Sequence, residues 1–266
     1  MSITGTTRVY AILGDPLVTV RSPEHFNGLF AERGIDAVMI PAEVKPADFS
    51  AAVNGFKRLR NCHGLILTMP HKQAMCEHVD ELRDNGRLCG AVNAVRRMED
   101  GSWIGDMFDG RGYLGALARH QVDPAGKRVH MIGAGGVARA MAMALAAADI
   151  ESITLRDVDA IRARDLANAI GAAFPAVSAQ AVAEDRYDAD IIVNATPLGI
   201  HPGERLPCDP SRLTPATVVS DVIPKPEITP LIAAARERGC TVTTGRDMFQ
   251  AQVGLVAYFF GWTDRP

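Results

Sequence analysis

Short apolar runs bounded by glycine, proline and polar clusters alternate along this chain with stretches whose apolar positions recur every three to four residues, the periods of strand and helix. Positions 9–14 read as a strand ending at Gly14, and positions 37–41 and 64–68 as two more. Between the first two, Ser22-Pro23 opens a helix, with the serine as N-cap and the proline at the first helical position. Phe26, Leu29 and Phe30 supply its core face. A second helix over 47–58 carries Phe49, Val53 and Phe56, and 72–79 reads as a third. Runs at 91–95 and 103–105 flank Glu99-Asp100-Gly101 as a β-hairpin. Asp109-Gly110 opens a helix that runs to about His120.

The alternation then resumes. An apolar run ending at Ile132 stops at Gly133-Ala134-Gly135-Gly136, and an alanine-rich helix follows over 139–148. Strands are expected at 152–155, at 189–199 ending in a loop, at 217–222 and at 240–243, with a helix over 229–238. A last, aromatic-rich helix over 248–260 returns to the first half. Strands alternating with helices indicate an α/β fold with parallel sheets. Two domains are expected: 1–108, joined by the C-terminal segment 244–266, and 109–243, a Rossmann-type dinucleotide-binding unit.

The glycine cluster is where chemistry enters. Strand, tight glycine turn and helix N-terminus bring backbone N–H groups and the positive end of a helix dipole up to a pyrophosphate. The spacing here is Gly-x-Gly-Gly-x-Ala, a variant of the dinucleotide motif, and glycine also serves such turns for steric reasons alone. The second strand of the unit ends in Arg156-Asp157. An acidic residue about 20 residues past the glycines accepts hydrogen bonds from the adenosine ribose, whereas an arginine there holds a 2′-phosphate. Asp157 therefore favours NAD, and Arg156 keeps NADP open.

Composition narrows the class. The 266 residues are 47% hydrophobic and 22% charged with a formal net charge of −3, ordinary for a globular protein and without the basic surplus that nucleic acid or an anionic membrane would require. No apolar run reaches the length of a membrane span, and the first eight positions hold no apolar core of a secretory signal. A cytoplasmic protein, monomeric or homodimeric, is expected. The five cysteines, Cys62, Cys76, Cys89, Cys208 and Cys240, are scattered and read as buried reduced thiols. The seven histidines show no metal-ligand spacing, so no metal is expected.

Several loop motifs, taken together, add a resemblance. Gly14-Asp15-Pro16, Ser22-Pro23, Thr68-Met69-Pro70-His71-Lys72, Gly90-Ala91-Val92-Asn93, Gly105-Asp106-Met107-Phe108-Asp109-Gly110, the glycine cluster, Asn194-Ala195-Thr196-Pro197-Leu198-Gly199, Thr229-Pro230-Leu231 and Met248-Phe249-Gln250-Ala251-Gln252 stand in one order. In that order the chain resembles the shikimate/quinate dehydrogenase family over essentially its whole length. The resemblance implies reversible hydride transfer between a hydroxyl and a ketone of a small alicyclic hydroxy acid. It makes Lys72 the catalytic lysine and Asp109 the aspartate paired with it, since oxidising a secondary alcohol needs a group that takes the hydroxyl proton. It makes Ser22, Thr68, Asn93 and Gln252 substrate contacts. It assigns Gly133, Ala134, Gly135, Gly136, Val137, Arg156, Asp157, Asn194, Ala195, Thr196 and Met248 to the cofactor. Taken without the resemblance, Lys72 is a surface lysine beside a helix start and Asp109 an N-cap. Thr68 and Asn93 are then strand-end polar groups and Gln252 a polar position on a helix.

Departures from the family pattern matter as much. Where the family carries Ser-x-Ser, this chain has Val20-Arg21-Ser22. Ile66 replaces an asparagine and Pro224 a tyrosine. A hydrogen bond to a charged group is worth about 1.5–3 kcal/mol, so losing two weakens shikimate by about two to four orders of magnitude. Arg21 and His71 are the candidates to replace them. Two other readings stay open: a dinucleotide-binding sensor or partner-binding protein with little catalysis, and a dehydrogenase for a non-shikimate substrate.

Overall fold

Buried β-branched and leucine-rich runs form the strands of two separate sheets, and the computed structural model describes them over residues 3–18, 20–201 and 203–264. The first two positions of the N-terminal stretch and the last two of the expected 244–266 segment lie outside the described residues. The chain forms two compact units: one runs through Phe108 and resumes at Val256, the other is Asp109–Leu255.

The first unit holds β1 (Arg8–Gly14), α1 (Ser22–Arg33), β2 (Ala37–Glu43), α2 (Phe49–Arg58), β3 (Cys62–Leu67), β4 (Glu81–Leu82), α3 (Asp84–Cys89), β5 (Ala94–Arg97) and β6 (Trp103–Asp106). Its sheet runs β2-β1-β3-β5-β6-β4. Strand alternation sends Ala11, Leu13, Leu65 and Leu67 to one face, where they pack with Phe49, Val53, Met75 and Trp103. Tyr10 points to the other face. There Trp262 stands edge-on to Tyr10, Phe26 and Phe30 at 4.8, 4.9 and 4.7 Å between ring centroids and stacks on Phe260 at 4.5 Å.

The second unit holds α4 (Asp109–Arg119), β7 (Arg128–Ile132), α5 (Gly136–Ala147), β8 (Ser152–Arg156), α6 (Ala160–Ala173), β9 (Ser178–Ala181), β10 (Ile191–Asn194), β11 (Val218–Asp221), α7 (Pro230–Glu237) and β12 (Thr241–Thr243). All its strand pairs are parallel, in the order β12-β11-β10-β7-β8-β9. The chain order reverses between β7 and β10, which places the loops after both strands at the carboxyl-end crevice where such sheets bind ligands.

Three sequence expectations change. The last helix, α8 (Gly245–Phe260), does not return to the first unit as a whole, because its residues through Leu255 group with the second. The physical reason is side-chain pairing with α4: Arg119 donates to Gln250 at 2.6 Å and His120 meets Asp247 at 3.2 Å. The helix expected over 72–79 is a turn followed by a 3₁₀ segment, Ala74–His78. The Lys72 carbonyl accepts from the Val92 N–H at 2.8 Å, so the Cys76 amide bonds to Gln73 instead. Arg21, not Ser22, is the N-cap of α1, with no side-chain cap bond, and Ser22 is the first helical residue. The two-residue β4, α3 and the largely exposed edge strand β9 carry too little apolar periodicity to be read from sequence.

The aromatic cluster generates a prediction. Trp262→Ala removes a side chain only 5% exposed and should cost about 3–5 kcal/mol. Urea unfolding followed through Trp103 checks it.

Candidate functional site

The glycine loop is shaped by one backbone requirement. Gly133 has φ +105°, and a Cβ there would lie 2.8 Å from the Ala195 carbonyl oxygen, so only glycine fits between the β7 and β10 loops. Its N–H donates to the Arg156 carbonyl at 2.7 Å. Gly135 is the N-cap of α5, with no side-chain cap bond, and a Cβ on Gly135 or Gly136 meets nothing within 4 Å. The first amides of α5, from Gly136 and Val137, have no intrahelical acceptor. That arrangement fits a pyrophosphate.

Asp157 stands directly after β8, as its spacing from the glycines implies. Its Oδ2 accepts from the Ala134 N–H at 2.7 Å and its Oδ1 from the Asp159 N–H at 2.9 Å. The carboxylate thus holds the glycine loop and keeps lone pairs for a ribose hydroxyl. Arg156 takes another course. Its guanidinium donates to the Pro207 carbonyl at 2.7 Å, and its Nε lies 2.5 Å from Asp185 Oδ1.

Asn194 is fully buried, and its amide has no capacity left for a ligand. Nδ2 donates to the Leu198 carbonyl at 3.1 Å and to Asp221 Oδ2 at 3.2 Å, while Oδ1 accepts from the N–H and hydroxyl of Thr196 at 3.1 and 2.6 Å. The side chain thus shapes the 194–199 loop, and the Thr196 hydroxyl in turn accepts from the Leu198 N–H at 3.2 Å. Asp221 completes the network by accepting from the Thr229 hydroxyl at 2.7 Å and the Ile223 N–H at 3.1 Å. Burial pushes its carboxyl above the ordinary aspartate range, against the pull of these donors. Nothing in the spacing of Asp221 and Thr229 along the sequence shows that they share a buried site.

Asp109 opens α4 and is buried. Its Oδ1 accepts from Gln252 Nε2 of α8 at 2.8 Å, so the expected catalytic aspartate and one expected substrate contact form a pair. Two glycines of α4 permit it. A Cβ on Gly112 would lie 2.9 Å from Gln252 Cβ and 3.1 Å from the carbonyl oxygen of buried Met248, and one on Gly115 2.7 Å from Ala251 Cβ. Met248 is therefore placed at the helix contact.

In the first unit, the loop after β3 carries Thr68 and Lys72. Leu67 N–H donates to the Asn93 carbonyl at 2.9 Å, Val92 N–H to the Lys72 carbonyl at 2.8 Å, and Thr68 N–H to the Leu13 carbonyl at 2.9 Å. Three of the expected residues are thereby tied to neighbouring strand ends. Lys72 is half-buried, and the Asn93 Oδ1 accepts from the Phe108 N–H at 3.0 Å. Ser22 is buried at the first turn of α1. Neither candidate replacement for the missing rim groups is placed for that work. His71 is buried, bonds the Val44 carbonyl at 2.6 Å through Nε2 and stacks on Phe49 at 4.3 Å. Arg21 pairs with Glu24 at 3.2 Å. Four of the five cysteines are buried and Cys76 is half-buried. Burial pushes the Cys62 thiol up to about 11 and Cys208 up to about 12, which leaves both without nucleophilic thiolate at neutral pH.

Comparison with known proteins gives the following. The family of the shikimate dehydrogenase substrate binding domain matches residues 12–95. The shikimate dehydrogenase (NADP(+)) of Moorella thermoacetica is 37% identical over 272 residues, covering 100% of this chain and 91% of the relative. Among solved structures, the 5-ketofructose reductase of Gluconobacter sp. strain CHM43 is 32% identical with a TM-score of 0.89, covering 98% of this chain and 95% of that one. The shikimate 5-dehydrogenase of Listeria monocytogenes, solved with shikimate and NAD, is 29% identical with a TM-score of 0.91, covering 100% and 96%. No helix among the described residues is long and apolar enough to cross a membrane.

The buried network makes a prediction of its own. Asp221→Asn turns an acceptor toward the Asn194 amide and the Thr229 hydroxyl into a donor and should cost about 1–3 kcal/mol. Because the aspartate carboxyl is raised in the folded state, its favourable contribution is complete below the unfolded pKa and declines as pH rises through the folded one. The stability gap between parent and variant in denaturant titrations should therefore be wider at acid pH than at neutral pH.

Proposed function

Because the chain belongs to the shikimate dehydrogenase family and is a nicotinamide-dinucleotide-dependent dehydrogenase for shikimate-like substrates, we propose that it prefers NAD and uses Lys72 and Asp109 on the reacting hydroxyl. When bound, the dinucleotide supplies the hydride acceptor or donor. The residues of the chain do the rest. The α5 N-terminus and the Gly135-Gly136 backbone receive the pyrophosphate. Asp157 accepts the ribose hydroxyl, and its charge repels a 2′-phosphate. The position of that carboxylate, fastened to the glycine loop at 2.7 Å, is the observation that carries the NAD reading. The relative from Moorella thermoacetica bears NADP(+) in its name, and the structure from Listeria monocytogenes was solved with NAD.

Lys72 takes the proton of the substrate hydroxyl in oxidation and returns it in reduction. Asp109, held in one orientation by Gln252, orients the substrate hydroxyl by charge. Thr68 and Asn93, fastened to the strand ends that also carry Lys72, supply contacts to ring hydroxyls.

For the substrate, we infer a small polyhydroxylated compound held without strong carboxylate recognition. Val20, Ile66 and Pro224 offer no side-chain hydrogen bond where the family pattern has three polar side chains, and the buried His71 is engaged with the Val44 carbonyl. The Gluconobacter reductase is named for a ketose that has no carboxylate, which supports this reading.

Titration with both dinucleotides should give a Kd for NAD at least about tenfold below that for NADP, a difference of about 1.4 kcal/mol; tighter NADP binding would overturn the assignment. Turnover of shikimate should show a high KM, and a micromolar value defeats the rebuilt-rim argument. On whichever substrate a screen of hydroxy acids and ketoses finds, Lys72→Ala should lower kcat by about 10²–10⁴ with NAD affinity intact. Asp109→Asn should give a smaller loss.

A further inference from the structure

Two side chains at the end of β8 have opposite consequences for the cofactor, and the structure treats them differently. Asp157 faces the glycine loop. Arg156 lies on the side of β8 that carries Thr154, because strand side chains alternate. There it meets Asp185, which follows β9 and is itself anchored. His130 of β7, fully buried, places Nε2 3.2 Å from Asp185 Oδ1 and Nδ1 2.9 Å from the Thr154 hydroxyl. A carboxylate only accepts, so a His130 proton sits on Nε2, facing Asp185. Asp185 Oδ1 thus receives a histidine N–H from one side and lies 2.5 Å from the Arg156 guanidinium on the other. The Pro207 carbonyl, at 2.7 Å, holds a second guanidinium nitrogen. The side chains of Arg156 and Asp185 are 23% and 18% exposed, so water screens this pair weakly.

We propose that Asp185 is a specificity-determining positioning residue for the dinucleotide: with His130 and the Pro207 carbonyl it holds Arg156 away from the adenosine ribose and so withholds the cation that would bind a 2′-phosphate. The inference deepens the NAD reading and rests on its placement of the ribose at the end of β8. An arginine one residue from the ribose-binding acid has the reach and the bidentate donors for a phosphate. Its guanidinium is committed elsewhere, and Asp157 repels the same phosphate. The two effects are separate, because one removes an attraction and the other adds a repulsion. Asp185 touches neither reacting atoms nor dinucleotide in this scheme and acts only through Arg156.

The test is the ratio of the NADP and NAD dissociation constants in the full-length protein, measured by titration of nicotinamide fluorescence with the reduced forms. Asp185→Ala should tighten NADP about tenfold while leaving NAD within about twofold, since a freed arginine gains charge-assisted hydrogen bonds to the phosphate. Asp185→Asn should move the ratio the same way by less, and Asp185→Glu, which restores the charge, should keep the parental ratio. In the double variant Asp185→Ala/Arg156→Ala the gain should disappear. Damage to the fold weakens both dinucleotides together and leaves the ratio unchanged; should Asp185→Ala do so, Asp185→Asn decides. An Asp185→Asn that binds NAD normally and keeps the parental ratio overturns the proposal. The parent and Arg156→Ala separate this proposal from the reading beneath it. If the parent prefers NADP and Arg156→Ala does not weaken it, the NAD reading fails and the captive arginine stands. If Arg156→Ala weakens NADP in the parent, Arg156 is already at the phosphate and the proposal fails.

Discussion

Close backbone approach along α4 is the constraint on which the candidate site depends. A side chain on Gly112 or Gly115 would enter α8, and one on Gly110 would enter the Ala140–Ala144 stretch of α5. With hydrogen there instead, α8 comes near enough for Gln252 to reach Asp109 and for Gln250 to reach Arg119. On its other side α4 braces α5, the helix whose N-terminus the glycine loop opens. One small-residue surface therefore sets both the orientation of the aspartate and the position of the helix end. Interiors are close-packed, so a single methyl group here displaces functional groups at both ends of the contact.

The second organising feature is that polar groups near the loops are saturated by one another. Asn194 fills four hydrogen-bonding positions on protein partners, and Asp221 takes three donors. Buried polar groups that are fully paired rigidify their surroundings, whereas unpaired ones carry a penalty. The loop after β10 is accordingly held by its own polar side chains. The same logic separates Arg156 from Asp157. Adjacent in sequence, they point into different networks: Asp157 to the Ala134 amide, Arg156 to Asp185 and the Pro207 carbonyl.

Much of the architecture was legible along the chain. The apolar runs and their glycine stops placed the buried parallel strands of both sheets, though not β4 or the exposed edge strand β9, because a strand buried on both faces must be continuously apolar. The break after Phe108 coincides with the end of the hairpin pattern and the start of a helical one. Less was legible at 72–79, where helical spacing yields a 3₁₀ segment because the distant Val92 amide takes the Lys72 carbonyl. The division of α8 was equally hidden, since its aromatic content suits the Tyr10 cluster while Arg119 and His120, more than a hundred positions away, hold its first turns.

The sequence by itself determined which groups exist to do chemistry: a glycine turn before a helix, a lysine and an aspartate in family motifs, an Arg-Asp pair ending the second strand of the unit, and apolar residues where a carboxylate-binding rim is usual. These are local properties, fixed by residue type and spacing. Only the tertiary structure decided which of the groups are free to act. It buried His71 against Phe49, filled every valence of Asn194, gave Gln252 to Asp109 and drew Arg156 toward Asp185. The physical reason is that hydrogen-bonding capacity is finite and short-ranged, so availability depends on partners within about 3 Å, and those partners come from strands and helices that the sequence places tens of residues apart.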